Sequence, residues 1–164
     1  MSPKVALHFA TAEENYYDKD AAIWRINIPE VKKLLPDELR NVLHHAWADL
    51  FSVEMLEDNI RTFEKLDTWR LGEPFILFFE PPSLDARIVN QGAILSVMPG
   101  AKLVLSDFLN QHPSLYDRII IPKELKWEIR DKLDQDNVTE RMLFPGLDGL
   151  SRWLKRYYGV GPNL

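Results

Sequence analysis

The chain has 164 residues, 46% hydrophobic and 27% charged, a composition that fits a globular domain and excludes a disordered or fibrous chain. With no cysteine it has no disulfide scaffold, no thiol catalysis and no cysteine-ligated zinc or iron–sulfur site. Its net charge of −5 makes it a poor non-specific partner for nucleic acid.

Ser2 followed by Pro3 is a helix-start pair, and Val5, Ala6, Phe9 and Ala10 continue it as an apolar stripe at three-and-four spacing. Residues 15–20 read as a turn and 21–28 as a strand ended by Pro29. From Glu30 to about Arg70 the pattern is helical. A short helix there is stopped by Pro36, a second is capped by Asp37, and a break is expected near Ser52. Residues 74–80 form a nearly continuous apolar run before Pro81 and Pro82, which suits a strand buried on both faces. Ser83 is placed to cap a short helix through Asn90, followed by a strand over 93–98 and a short helix over 103–110.

A strand over 115–121 and a helix over 123–135 come next, the latter with Leu125, Ile129 and Leu133 on one stripe. Residues 142–144 read as a short buried strand or turn. The last helix runs over 147–158, with Gly159 as its C-cap. Its Trp153, Tyr157 and Tyr158 are expected to pack inward, leaving Arg152, Lys155 and Arg156 solvated. The expected fold is therefore α+β: a single domain over 1–164 with a mixed, mostly antiparallel sheet of about four or five strands and six or seven helices.

Few residues suggest chemistry. No GxGxxG fingerprint, Walker-type phosphate loop, GxSxG elbow or HExxH motif occurs. His45 and Asp49 are four apart, a conceivable metal pair on a helix, but no third ligand has a matching spacing, so no metal site is assigned. The segment from Glu80 to Gly92 gathers Glu80, Arg87, Asn90 and Gln91 between two apolar strands. Arg87 and Gln91 share a helical face, where Arg87 could hold the phosphate or carboxylate of a nucleotide-like ligand. The alternative is that Arg87 pairs with a neighbouring carboxylate and fixes the connection. In the string from Leu143 to Leu150, Phe144, Leu147 and Leu150 wrap a proline–glycine turn into a helix, chiefly a packing and capping device.

Five strings in order resemble the FRG domain, a bacterial and phage family named for a Phe-Arg-Gly motif. They are Ser2-Pro3 through Thr11, Ile23-Trp24-Arg25-Ile26-Asn27, Leu84-Asp85-Ala86-Arg87 through Gln91-Gly92, Ile119-Ile120-Ile121-Pro122 leading to Lys126, and Leu143-Phe144-Pro145-Gly146 through Leu150. The family's upstream half, with its Arg-Gly and Thr-Arg-Leu-Leu-Asp-Trp motifs, has no counterpart here. The resemblance therefore implies the C-terminal part of an FRG domain, with Met1 where the upstream segment would end. It implies a catalytically incomplete domain with a ligand cleft around Arg87, Asn90 and Gln91 and no cofactor.

The alternative it implies is an ADP-ribosyltransferase-like or NAD-consuming enzyme, of a toxin or phage-defence kind, when the upstream half is present. By that analogy Gln91 stands where active transferases place a glutamate. Its neutral amide cannot stabilise an oxocarbenium-like charge as a carboxylate does. Missing front strands would leave an apolar edge covered by a second copy or a partner chain. No secretory signal pattern and no apolar run near 18 residues is present, so the cytoplasm is the expected compartment and no membrane partner is expected.

Overall fold

The computed structural model describes residues 2–69 and 72–159. Met1 and the expected end of the helical stretch at Arg70 lie outside the described residues. The chain forms two compact units. The first comprises residues up to Ile23, Ser83–Ala93 and the chain from Ile119 onward; the second comprises Trp24–Pro82 and Ile94–Arg118.

The described elements are α1 (Pro3–Thr11), β1 (Ala21–Ile26), α2 (Ile28–Lys33), α3 (Asp37–His45), α4 (Val53–Asn59), α5 (Phe63–Thr68), β2 (Leu77–Phe79), α6 (Ala86–Gln91), β3 (Leu95–Val97), α7 (Leu105–Gln111), β4 (Tyr116–Ile121), α8 (Lys126–Gln135), α9 (Glu140–Leu143) and α10 (Leu147–Tyr157). The expected single sheet of four or five strands is not formed. The four described strands make two separate two-stranded sheets, β1–β4 and β2–β3, beside ten α-helices rather than six or seven.

The reasons are local. Pro29 lies in the first turn of α2, where its missing N–H costs nothing, so β1 stops at Ile26 instead of running on. Ser52 and Thr62 each accept a backbone N–H, from Met55 and Lys65, and start two further helices inside the long helical stretch. Residues 142–144, expected as a strand or turn, fall at the end of α9, whose last residue is Leu143.

In the second unit, β2 and β3 pair antiparallel with Leu77 opposite Val97 and Phe79 opposite Leu95. Phe51 meets β2 through one isolated parallel bridge, donating to Phe78 O at 3.1 Å and accepting from Glu80 N at 2.9 Å. Phe75, Ile76 and Leu77 are all buried, as the apolar run over 74–80 implies, although only three of its residues are strand. Two apolar clusters fill this unit. Leu35, Leu39 and Leu43 gather with Phe51, Leu66 and Phe75 in one, and Val31 gathers with Ile76, Phe108, Leu109 and Leu115 in the other.

The first unit is built differently: α1 packs on α8, and α9 packs on both α6 and α10. Its buried layer mixes Val5, Leu133 and Leu143 with His8, Thr11, Lys126, Arg130 and Glu140. Gly149 is what lets α10 approach α9. A Cβ there would lie 1.8 Å from Phe144 O and 2.7 Å from Glu140 O. Among the described residues, no helix is long and apolar enough to cross a membrane.

Candidate functional site

The first unit encloses a charged buried cluster supplied by four helices. On α1 the apolar stripe read from the sequence is displaced: Val5, His8 and Thr11 face inward, and Phe9 is largely exposed. On α8, Lys126 and Arg130 are buried with Leu133, while Leu125 is exposed. Arg130 has no solvent exposure. One of its Nη groups donates to His8 Nδ1 at 2.9 Å and the other to Glu140 Oε1. Arg156, expected among the solvated cations of α10, turns in instead. Its Nε donates to Glu140 Oε1 at 2.8 Å and its Nη2 to Glu140 Oε2 at 2.9 Å. It also grips Asp134 through two parallel bonds of 2.8 and 2.7 Å, the fork geometry that suits arginine. Tyr157 and Tyr158, expected inside, are exposed.

These bonds fix protonation. A guanidinium only donates, so His8 Nδ1 must accept and the ring proton sits on Nε2. Val138 O lies farther, 3.4 Å from Nδ1, and is the weaker partner. Burial, and next the Arg130 charge, lower the His8 pKa to about 4, against an opposing pull from Glu140. The imidazole is therefore neutral near pH 7. Burial alone would raise the Glu140 pKa, but the bond from Arg156 and the charge of Arg130 outweigh it and hold the carboxylate ionised. Burial works against the charge of Arg156 too, and its bonds to Asp134 and Glu140 reverse that. His8 Nε2 is buried without a partner among the described residues.

Above this cluster lies a cleft of about 380 Å³. His8, Glu140 and Arg156 form its floor, and Phe9 and Phe144 add aromatic surface, their rings edge to face with centroids 5.9 Å apart. Glu13 and Glu14, in the turn after α1, line it together with Arg152 and Lys155 of α10. The Arg152 guanidinium lies 5.4 Å from the Phe144 ring centre.

The residues singled out in the sequence separate. Arg87, Asn90 and Gln91 lie on α6 of the first unit, whereas Glu80 belongs to the second. Asp85 rather than Ser83 caps α6, accepting from Arg87 N at 2.6 Å. Asn90 and Gln91 are half-buried and donate to the carbonyls of Met142 and Leu143 at 2.7 and 3.0 Å, tying α6 to α9. Arg87 spreads its guanidinium 5.0 Å from the centre of the Phe144 ring. It touches Phe144 of the cleft wall without itself lining the cleft.

His45 and Asp49 share no helix, since α3 ends at His45 and Asp49 pairs with Lys32 at 2.8 Å. Among the described residues no group of three histidines and carboxylates could hold a metal ion. His8, Arg130, Glu140 and Arg156 were not legible as a set, because His8 is 122 positions from Arg130 and no spacing links them. Comparison with known protein families, curated proteins and solved structures finds no match to this chain.

Proposed function

We propose that the chain is a catalytically incomplete, FRG-domain-like module that binds a small polar ligand in the cleft beside Phe144. The observation that supports this reading is the state of the cleft floor. Glu140 is already matched by two arginines, Arg156 by two carboxylates, and His8 is held neutral. A carboxylate so strongly ion-paired and an imidazole with so low a pKa are weak bases at pH 7. The exposed charges lining the cleft remain available for recognition. Gln91, committed to a backbone carbonyl, serves this reading as a brace for α6 and not as a catalytic group.

The test is a two-dimensional amide NMR titration of the chain with NAD, paired with chromatographic assay of NAD turnover. Expected are shifts at Phe144, Arg152 and Lys155 with no NAD consumed. Turnover would favour the NAD-consuming alternative, and the absence of any shift at the cleft would remove the binding reading.

The cytoplasm and a covering partner belong to the same proposal. Leu84 and Leu147 are 88% and 83% exposed, and Val89 on α6 and Met142 on α9 are exposed as well. Apolar side chains so uncovered fit self-association or a partner chain. Light scattering that finds only monomer at high concentration would count against self-association.

A further inference from the structure

The cleft holds two kinds of unspent charge. Glu13 and Glu14 form no ion pair among the described residues, and neither do Arg152 and Lys155, although all four line one cavity. Two carboxylates and two cations that share a cleft without pairing leave both signs of charge open to a ligand. A simple anion would meet Glu13 and Glu14, and a simple cation would meet Arg152 and Lys155, each a like-charge contact that opposes binding. A ligand carrying both charges meets neither penalty.

We propose that this cleft binds a zwitterion with an aromatic or apolar body, its anionic group at Arg152 and Lys155 and its ammonium group at Glu13 and Glu14. The body lies against Phe9 and Phe144, the aromatic surface of the cleft. A cavity of this volume is roughly 9 Å across, room for a short body with one charge at each end. This specifies the ligand class of the binding reading above and rests on it.

The experiment is an NMR titration of the full chain with 4-(aminomethyl)benzoate, benzoate and benzylamine. The zwitterion is expected to bind roughly tenfold more tightly than either singly charged compound, the worth of one charged contact of about 1.4 kcal/mol. The double variant Glu13→Gln with Glu14→Gln should bring it down to the affinity of benzoate. The variant Arg152→Gln with Lys155→Gln should bring it down to that of benzylamine. All four positions are exposed, so both variants are expected to keep the native spectrum elsewhere.

Equal binding of benzoate and 4-(aminomethyl)benzoate would overturn the zwitterion and leave a plain anion cleft, with the binding reading intact. No binding by any of the three would also overturn it. The binding reading itself would fall only if NAD too left the cleft unchanged.

Discussion

Nη1 of Arg130 lies 2.9 Å from Nδ1 of His8, with both side chains sealed from solvent. That contact joins α8 to α1, and Glu140 carries the connection onward to α9 and α10 through Arg130 and Arg156. The first unit is thus held partly by ions where the second is held by leucine and phenylalanine. Removing one member of such a network costs more than its net contribution, because the remaining charges stay buried without a partner.

Glu140→Gln tests this directly. Both oxygens of Glu140 serve arginines, and its loss would leave Arg130 with no carboxylate and Arg156 with Asp134 alone. The expected loss of stability is about 3–5 kcal/mol. Arg130→Met should cost less, since Glu140 keeps Arg156 and the methionine fills much of the same space. Urea unfolding of the two variants gives the order, and a milder effect for Glu140→Gln would refute the network account.

Acid should weaken the fold through His8. Its pKa is about 4 when folded against 6.5 when free, so between those values the unfolded chain binds the additional proton. Stability is therefore fully present above pH 6.5, falls as pH drops toward 4, and receives no further loss from His8 below that. The depression corresponds to roughly 3 kcal/mol across the window. Glu140, whose pKa is also lowered, adds its own loss below about 4.5. In His8→Gln, urea midpoints measured from pH 7.5 to 5 should be flatter than in the parent.

Gly149 supplies a steric test of the α9–α10 contact. Its absent side chain admits the carbonyls of Phe144 and Glu140, both backbone atoms that cannot swing aside. Gly149→Ala should destabilise by about 3 kcal/mol through forced separation of the helices. Ser151→Ala, at an exposed site on the same helix, should stay within about 0.5 kcal/mol. Thermal melts of the two compare them, and near-equal melting temperatures would show that the helices slide apart without cost.

Local punctuation was readable in the sequence, and long-range pairing was not. Pro3, Pro36 and Ser52 mark element boundaries because proline geometry and hydroxyl caps act within a turn of chain. The buried run around Phe75 to Leu77 was equally plain from its apolarity. The sheet was overestimated because an apolar run says that a segment is buried, not how many partners it hydrogen-bonds; β2 pairs over three residues only. On α8 the apolar stripe holds at Leu133 and fails at Leu125, and on α10 Tyr157 and Tyr158 face outward. Lys126, Arg130 and Arg156 turn inward because partners far along the chain satisfy them, which periodicity cannot register. For the site, α6 was located correctly as a segment, yet its two amides serve the backbone of α9, a use that depends on contacts 52 positions away.

Trp47 is 94% exposed and sits at φ 52°, just past the end of α3. Ala48 N donates to Leu43 O at 3.0 Å and Trp47 N to His44 O at 3.2 Å, the paired bonds of a Schellman ending. Glycine is the usual residue at this position, since a Cβ there costs about 1 kcal/mol. The indole gains little in return beyond lying 6.3 Å from the His44 ring. Trp47→Gly removes that strain while adding freedom to the unfolded chain, so a net gain of about 0.5 kcal/mol is expected. Trp47→Ala keeps the Cβ and should give no gain. Urea unfolding at low protein concentration measures both. A loss above about 1 kcal/mol in Trp47→Gly would mean that the indole is covered in solution, and repeating the melt over a hundredfold range of concentration would then show whether a second copy covers it.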